Sequence, residues 1–262
     1  MKPAGKRCAV GDSRELHSKV DSLTIMNRRD IIKTGLVAAT AAALPILPAK
    51  LAAQPRAGSP RDRVLFEVAK RELDRAGDAI WKRDIVGIAD YGVHSGRRRF
   101  YFVNLEREEV TSAHCSHGRG SDPDHDGWLN SYSNVVGSNA SSKGAYVTWE
   151  WYQGRYRTSV RLGGLDPTNE AALRRYIVMH RAEYAEPAHI ESWGRLGRSN
   201  GCFAFGKEQF REVLMHMSGG RLIYADSLGL QDDGAMLSRE AQLAALASND
   251  PTAAQRYMPG TF

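Results

Sequence analysis

Cysteine is scarce in this chain of 262 residues, which contains only Cys8, Cys115 and Cys202. So few thiols exclude a disulfide-stapled scaffold, the usual solution for small domains in oxidising compartments. One disulfide between Cys115 and Cys202 remains an alternative, and it would remove both thiols from any chemistry. Without it, each is available as a small buried apolar residue or as a reactive group.

An excess of positive charge is also missing from most of the chain. The formal net charge is +6, but residues 1–53 hold nine Lys/Arg and four Asp/Glu, which leaves 27 basic and 26 acidic side chains beyond them. A domain this close to neutrality has no electrostatic footprint for a polyanion. We therefore expect no nucleic-acid partner.

The chain also lacks an apolar run long enough for a convincing transmembrane helix. The best candidate, residues 34–49, is alanine-rich and is interrupted by Pro45 and Pro48, whereas a membrane span needs about 20 apolar residues. Arg28 and Arg29 precede this run. A basic segment, a short apolar run and small residues after it are typical of a twin-arginine (Tat) export signal.

We therefore predict an export signal over residues 26–53, cleaved near Ala49–Ala53. Residues 1–25 carry no pattern of their own and are interpreted as a possible over-assigned start, with Met26 as the initiator. The predicted location is periplasmic, with the Tat translocase as a partner during export and no stable membrane anchor. An uncleaved N-terminal anchor is the alternative.

The remaining chain is long enough for one domain with a sizeable core. We predict a linker and N-terminal helix over residues 54–80, the main domain over 81–228, and a C-terminal tail with a short helix over 229–262. Runs of β-branched and aromatic residues separated by Gly, Asn and Asp predict strands at 85–91, 99–104, 146–152, 155–162, 176–180 and 221–225. Helices are predicted at 61–75, 169–175, 207–217 and 238–247, and a hairpin turn at Gln153-Gly154. The predicted fold class is mainly β with peripheral helices (α+β).

Cys202 and His180 are the candidate catalytic pair. Cys202 follows Gly201 on what is predicted to be a tight turn, and His180 ends an apolar run about twenty residues upstream. A thiol can attack a carbonyl carbon while an imidazole takes the thiol proton and returns it to the leaving amine. A glycine before the nucleophile lets backbone N–H groups approach the developing oxyanion. A buried apolar cysteine and a packed histidine are the alternative interpretation.

The middle segment, residues 112–144, is a predicted long loop rich in Ser, Gly, Asn, Asp and His. His114, Cys115, His117 and His125 are metal-ligating types, but their spacing fits no common zinc template. Residues 122–127 match the first half of a calcium loop, whose twelfth position is Ser133 instead of the expected Glu. We expect neither metal nor cofactor here and interpret the acidic part as a solvated loop.

Several motifs in order make this chain similar to a known family. They are Ser116-His117-Gly118-Arg119-Gly120-Ser121, Ser133-Asn134, Gly137-Ser138, Ser141-Ser142-x-Gly144, Arg161-Leu162-x-Gly164-Leu165, His180, and Gly197-Arg198-Ser199-x-Gly201-Cys202. Together they resemble the murein L,D-transpeptidase catalytic domain family, which is related to the YkuD-type L,D-transpeptidases. The resemblance implies a YkuD-like catalytic fold and cysteine chemistry on peptidoglycan stem peptides.

The resemblance also assigns the site residues. The family pattern His…Ser-His-Gly-Cys maps onto His180, Ser199, Gly201 and Cys202, with Asn200 in place of the second histidine. Arg181 stands where the family commonly has glycine, and Phe203 where relatives often carry proline. A backbone carbonyl is expected to orient His180, and the N–H groups of Gly201 and Cys202 are the expected oxyanion donors. The expected substrate-binding residues are Arg198, Asn200, His117, Ser133, Asn134, Ser141 and Ser142.

The implied function is that of an exported cysteine acyltransferase acting on peptidoglycan stem peptides through a cysteinyl thioester. Two alternatives stay open at this point. One is an L,D-carboxypeptidase with water as the acceptor, and the other is a non-catalytic murein-binding module. Arg198 is either a ligand for a stem-peptide carboxylate or a surface arginine.

Overall fold

The structure is a computed structural model that describes residues 58–249. The predicted export signal and the start of the chain lie outside these residues, as does the segment 250–262. The helices and strands are α1 (Pro60–Ala76), β1 (Ile85–Asp90), β2 (Phe100–Asn104), β3 (Glu109–Ala113), β4 (Gly144–Gly154), β5 (Arg157–Gly164), β6 (Val178–Arg181), α2 (Pro187–Trp193), β7 (Phe203–Phe205), α3 (Lys207–Met217), β8 (Leu222–Asp226) and α4 (Arg239–Asn249).

Helix α1 begins and ends where the local sequence favours it. Ser59 is the N-cap, and its hydroxyl accepts a hydrogen bond from the N–H of Asp62 at 3.0 Å. Pro60 occupies the first turn, where a missing N–H costs nothing, and Gly77 with φ 54° ends the helix. The buried apolar positions of the helix are Leu65, Val68, Ala69 and Leu73. The helix lies where the sequence predicts one, over residues 61–75.

The eight strands form one mixed sheet in the order β3-β2-β1-β8-β4-β5-β6-β7. The pairs β1–β8 and β6–β7 are parallel, and the other five pairs are antiparallel. One apolar core joins one face of the sheet to α1, and a second joins the other face to α3. The prediction of a mainly β fold with peripheral helices is confirmed. None of the helices within residues 58–249 is long and apolar enough to cross a bilayer.

The segment before β6 forms successive turns instead of the helix predicted for residues 169–175. The side chain of Asn169 accepts a hydrogen bond from the N–H of Asp166 at 2.9 Å and donates one to the carbonyl of Ala145 at 2.8 Å. Bonds of this kind offer the backbone an alternative to a helix. The helix prediction was wrong, and Arg175 lies at the end of these turns.

The β4–β5 hairpin turns two residues later than predicted. Strand β4 continues through Gly154, the turn is made by Arg155 and Tyr156, and Arg157 has φ 65°. The glycine was taken as the turn signal, but the pairing of Gly154 with Arg157 extends the ladder past it. Tyr156 therefore lies at the hairpin tip. The elements β3, α2 and β7 were not predicted; β7 has three residues, all buried, and so lacks any alternation.

The acidic part of the middle segment is internal at Asp122 and Asp126, whereas Pro123 and Asp124 between them are exposed. Asp122, Asp126 and Trp128 are each 3% exposed or less. Buried polar groups need partners, and the Asp122 carboxylate accepts hydrogen bonds from the N–H groups of Asp126 and Gly127. The prediction of a solvated acidic loop was therefore wrong for Asp122 and Asp126. The segment instead packs behind the loop that carries Cys202.

Candidate active site

The sheet places His180 on β6 and Cys202 directly before the neighbouring strand β7. In the parallel pairing of β6 with β7, Met179 is opposite Phe203 and His180 is opposite Ala204. Paired residues of neighbouring strands share a face, so His180 and Ala204 lie on the same face of the sheet, and Cys202 lies in the bend that directly precedes β7. Cys202 is 7% exposed and His180 1% exposed. The sequence-predicted pair is thus placed on neighbouring strands.

The ring of His180 has a defined orientation. Its Nδ1 is 2.9 Å from the carbonyl oxygen of Arg181, which can only accept. Nδ1 therefore carries the proton, and Nε2 is the unprotonated nitrogen. The ring of Tyr156 stacks on the imidazole at 4.3 Å between centroids. Burial lowers the pKa of His180, while the bond to Arg181 raises it. The net effect is a lowered pKa, so the imidazole is neutral at pH 7.

The thiol of Cys202 is protonated at rest. Its Sγ donates to the carbonyl oxygen of Tyr176 at 3.5 Å, and no hydrogen bond to His180 is present among the described residues. Burial raises the pKa of Cys202 to about 11, opposed by the backbone N–H of Val178 and by the charge of Arg175. The resting pair is therefore a neutral thiol and a neutral imidazole, not an ion pair.

Ser199 braces the loop around the thiol. Its hydroxyl donates to the carbonyl of Cys202 at 2.7 Å and accepts from the N–H of Gly201 at 3.1 Å. Gly201 has φ +105°, and a Cβ there would lie 2.4 Å from the carbonyl oxygen of Ala140. Glycine is required at this position by both its conformation and the close backbone approach.

The oxyanion donors expected from the sequence are only partly available. The N–H of Gly201 is already bonded to Ser199, whereas within residues 58–249 the N–H of Cys202 has no protein acceptor. The N–H of Cys202 is therefore the donor that can face a developing oxyanion.

Arg175 is a residue of this site that the sequence did not reveal. Its guanidinium donates to the carbonyl of Ser133 at 2.7 Å, to the hydroxyls of Ser142 and Ser138, and to the carbonyl of Ala140. The signal was hidden because residues 169–175 were predicted to be helical, where an arginine beside Arg174 is an ordinary surface residue.

Most of the residues expected to bind substrate make internal bonds. Ser141 and Ser142 are 1% and 2% exposed, and the Ser141 hydroxyl accepts from the N–H of Gly118. The side chain of Asn134 bonds to the backbone of Pro167 and Ala171. The exposed member of the set is Asn200, on the Cys202 loop. The structure gives the substrate-binding expectation no support at the buried positions.

His117 lies in a buried charge network behind the Cys202 loop. It is 1% exposed; its Nδ1 accepts from the guanidinium of Arg99 at 2.6 Å, and its Nε2 donates to the carboxylate of Asp122 at 3.1 Å. Burial and the charge of Arg99 lower the pKa of His117 to about 4, so its ring is neutral. The backbone of His117 accepts from the N–H of Ser199 at 2.8 Å. His117 therefore supports the loop from within.

Arg198 serves the same network. Its guanidinium donates to the carbonyl oxygens of Asp122 and Pro123. These bonds direct its charge toward the middle segment, not toward Cys202.

The two metal interpretations gain no support from the geometry. His114 accepts from the amide of Gln209, His125 faces the carbonyl of Leu196, and Asp126 pairs with Arg239. No three His, Cys, Asp or Glu side chains in the described part of the chain are grouped so as to hold a metal ion.

Cys115 and Cys202 are both free thiols. Cys115 is fully buried, 3.9 Å from the hydroxyl of Tyr91, and its Sγ donates to the carbonyl of Ser116. Burial raises the pKa of Cys115 to about 12. The alternative of a disulfide between the two is not the arrangement observed.

Two surface grooves lie away from the thiol. One of about 350 Å³ lies beside α1 and contains Phe66 and Leu105. The other, of about 640 Å³, contains Arg157, Arg181 and Lys207. Neither is lined by Cys202 or His180, so the chemistry of the side chains identifies the candidate site, not groove size.

The family follows from comparison with known proteins. A family model described as an L,D-transpeptidase catalytic domain matches residues 62–225. The chain therefore belongs to the L,D-transpeptidase catalytic domain family, which confirms the resemblance seen in the sequence motifs. No curated protein matches the chain.

Solved structures with detectable similarity are distant. An L,D-transpeptidase from Mycobacterium smegmatis is 14% identical, with 55% of this chain and 58% of that chain covered and a TM-score of 0.33. Mycobacterium tuberculosis L,D-transpeptidase 1 is 12% identical, with 55% and 61% covered and a TM-score of 0.31. The helical cell shape determining protein Pgp2 from Campylobacter jejuni is 12% identical, with 76% and 63% covered and a TM-score of 0.35. The chain spans about six tenths of the length of these structures.

Proposed function

We propose that this protein is an L,D-transpeptidase that transfers acyl groups between peptidoglycan stem peptides, with Cys202 as nucleophile and His180 as general base. The observation that carries the proposal is the bond from Nδ1 of His180 to the carbonyl of Arg181. It leaves Nε2 as the unprotonated nitrogen of a histidine on β6, and Cys202 directly precedes β7, the strand that pairs with β6. A base with a lowered pKa is neutral at pH 7 and able to accept the thiol proton.

The reaction has two steps. Nε2 of His180 takes the proton of Sγ as the sulfur attacks the carbonyl carbon on the L side of an L,D peptide bond. The carbon–nitrogen bond breaks, the imidazolium gives its proton to the leaving nitrogen, and D-alanine departs from a thioester on Cys202. The amine of a second stem then attacks the thioester and loses a proton to His180, which forms a new amide and the free thiol.

The resting geometry defines what substrate binding must do. The thiol has to leave the carbonyl of Tyr176 and turn toward His180 before the proton moves. Catalytic hydrogen bonds commonly tighten only in the substrate complex. The N–H of Cys202 then donates to the oxyanion, while Ser199 keeps the loop in place.

Two alternative functions are compatible with the same fold and the same residues. Water could resolve the thioester, which would make the protein an L,D-carboxypeptidase with the same residues. A non-catalytic murein-binding module is favoured by one observation, the buried thiol with a pKa of about 11. In such a module Cys202 would react with a thiol probe no faster than an ordinary cysteine.

We also propose export by the Tat route and a periplasmic location, which rest on the pattern around Arg28 and Arg29. Replacing both arginines with lysine should hold the precursor in the cytoplasm. Unchanged periplasmic delivery would contradict the Tat assignment and leave the catalytic proposal untouched.

The function is tested by incubating the protein with muropeptides that carry tetrapeptide stems and weighing the products. Cross-linked dimers with loss of D-alanine are the result of transpeptidation, and tripeptide stems alone are the result of carboxypeptidation. His180→Ala should lower either rate by roughly 10²–10⁴-fold, the usual contribution of a general base. Stems unchanged by folded protein would contradict both enzymatic functions.

A further inference from the structure

The guanidinium of Arg175 is a half-buried cation without a carboxylate. No Asp or Glu within residues 58–249 forms an ion pair with it, and burial lowers its pKa. A charge held in such a place is costly unless a neighbouring group gains from it. The groups that would favour the protonated guanidinium when they ionise are Tyr146 and Cys202.

The bonding of Arg175 excludes direct binding of a substrate carboxylate through its two terminal nitrogens. Each terminal nitrogen of a guanidinium carries two N–H donors. Nη1 donates to the carbonyl of Ser133 and the hydroxyl of Ser142, and Nη2 donates to the hydroxyl of Ser138 and the carbonyl of Ala140. All four donors are therefore used inside the protein.

The same bonds place the charge beside the nucleophile loop. A Cβ on Gly201 would lie 3.0 Å from Nη2 of Arg175 and 2.4 Å from the carbonyl oxygen that Nη2 holds, that of Ala140. Arg175 thus fixes the wall of residues 133–142 against the backbone just before Cys202. The other titratable groups that interact electrostatically with the thiol are Tyr146 on β4 and Tyr184, and burial keeps both neutral at pH 7 by raising their pKa. His180 lies on β6, which pairs with the strand that follows Cys202.

We propose that Arg175 is a positioning residue with two effects, stabilising the Cys202 thiolate by its charge and holding the 133–142 wall against the Cys202 loop by its hydrogen bonds. Within the described residues it is the permanent cation next to the thiol, since His180 is neutral at rest. The role as a catalytic aid rests on the proposed function, whereas the effect on thiol ionisation does not.

The test is the pH dependence of Cys202 alkylation by iodoacetamide, followed in the full-length protein by peptide mapping so that Cys8 and Cys115 are scored separately. Arg175→Met should raise the midpoint of the Cys202 profile by about one pH unit or more, which lowers the alkylation rate at pH 8 about tenfold. Arg175→Lys should keep the wild-type midpoint but lose stem turnover. An ammonium retains the positive charge but lacks the planar set of N–H donors that a guanidinium presents. Arg174→Met, which removes the adjacent exposed cation, is the matched control and should change neither.

An unshifted midpoint in folded Arg175→Met protein would overturn the electrostatic effect. Full turnover in Arg175→Lys would overturn the role of the Arg175 hydrogen bonds in holding the 133–142 wall. Circular dichroism and the melting temperature establish that each variant is folded. Because alkylation needs no substrate, a shifted midpoint without any stem turnover would keep the thiolate effect and contradict the proposed function instead.

Discussion

Nδ1 of His180 donates to the carbonyl oxygen of Arg181 at 2.9 Å, and this bond decides which ring nitrogen can act as a base. A backbone carbonyl needs no ionisation of its own, so no Asp or Glu has to orient the ring. The identity of the side chain at position 181 therefore matters less than its peptide group.

The pH profile of turnover follows from this arrangement. Burial lowers the pKa of His180 from its ordinary value of 6.5, and the base works only when it is unprotonated. We predict that the acid limb of kcat/KM has its midpoint below pH 6.5. The measurement is kcat/KM on tetrapeptide muropeptides from pH 4.5 to 9, and an acid limb with a midpoint above 6.5 would contradict it.

The glycine before the nucleophile offers a sharp test of the loop. Gly201→Ala should abolish most turnover and lower the melting temperature, because the added Cβ would meet the carbonyl oxygen of Ala140 at 2.4 Å. Gly137→Ala is the matched control: its φ is +86°, but a Cβ there has open space. The control should cost about 1–3 kcal/mol of backbone strain and keep the rate. Equal losses in the two variants would show that φ alone explains the requirement.

Ser199 provides a second test of the same loop. Ser199→Ala removes bonds to the N–H of Gly201 and the carbonyl of Cys202, each worth about 1 kcal/mol. We predict a stability loss of about 1–2 kcal/mol and a fall in turnover of about tenfold or more. Ser192→Ala, on the exposed face of α2, removes a hydroxyl bonded to Ala188 and should alter neither. Unchanged kinetics in Ser199→Ala would mean that the loop is held without this hydroxyl.

The buried histidines predict a loss of stability in acid. Burial lowers the pKa of His94 to about 3, and burial with the Arg99 charge lowers that of His117 to about 4. Below pH 6.5 the unfolded chain binds protons that the folded one does not, so the free energy of unfolding falls as pH falls toward 4. Each group contributes about 1.4 kcal/mol per pH unit in that window.

Urea unfolding at pH 7, 5.5 and 4 measures this effect. His94→Gln keeps a donor for the carbonyl of Asp126. It should reduce the pH dependence of the free energy of unfolding by the contribution of one histidine. Asp122, whose pKa is lowered to about 2, stays ionised in the folded state and contributes to the slope only close to pH 4, where the unfolded carboxyl begins to bind a proton. A free energy of unfolding that stays constant from pH 6.5 to 4 would contradict neutral burial of these rings.

The candidate pair could be picked out of the sequence because each member belongs to a recognisable local pattern. His180 follows an apolar run and lies in strand β6, and Cys202 follows a glycine with a positive φ. The prediction of a β-rich fold rested on similarly local signals. The β4–β5 turn was misplaced by two residues because a glycine favours a turn without fixing the register.

The surroundings of the pair could not be predicted in the same way. Arg175 reaches the site only because Asn169 diverts its segment from a helix and the 133–142 wall folds onto it. His117 and Asp122 have the composition of a binding loop, but the burial of Arg99 beside them makes them internal supports. Polar residues of a loop give no local sign of whether they face solvent or each other.

The central claim is that Cys202 carries the acyl group, and intact-protein mass spectrometry during turnover of a tetrapeptide muropeptide tests it most directly. The account predicts an adduct of the stem acyl group without D-alanine, mapped to Cys202, absent in Cys202→Ala and retained in Cys115→Ala. Release of D-alanine by a well-folded Cys202→Ala protein, or an adduct on another residue, would contradict the account.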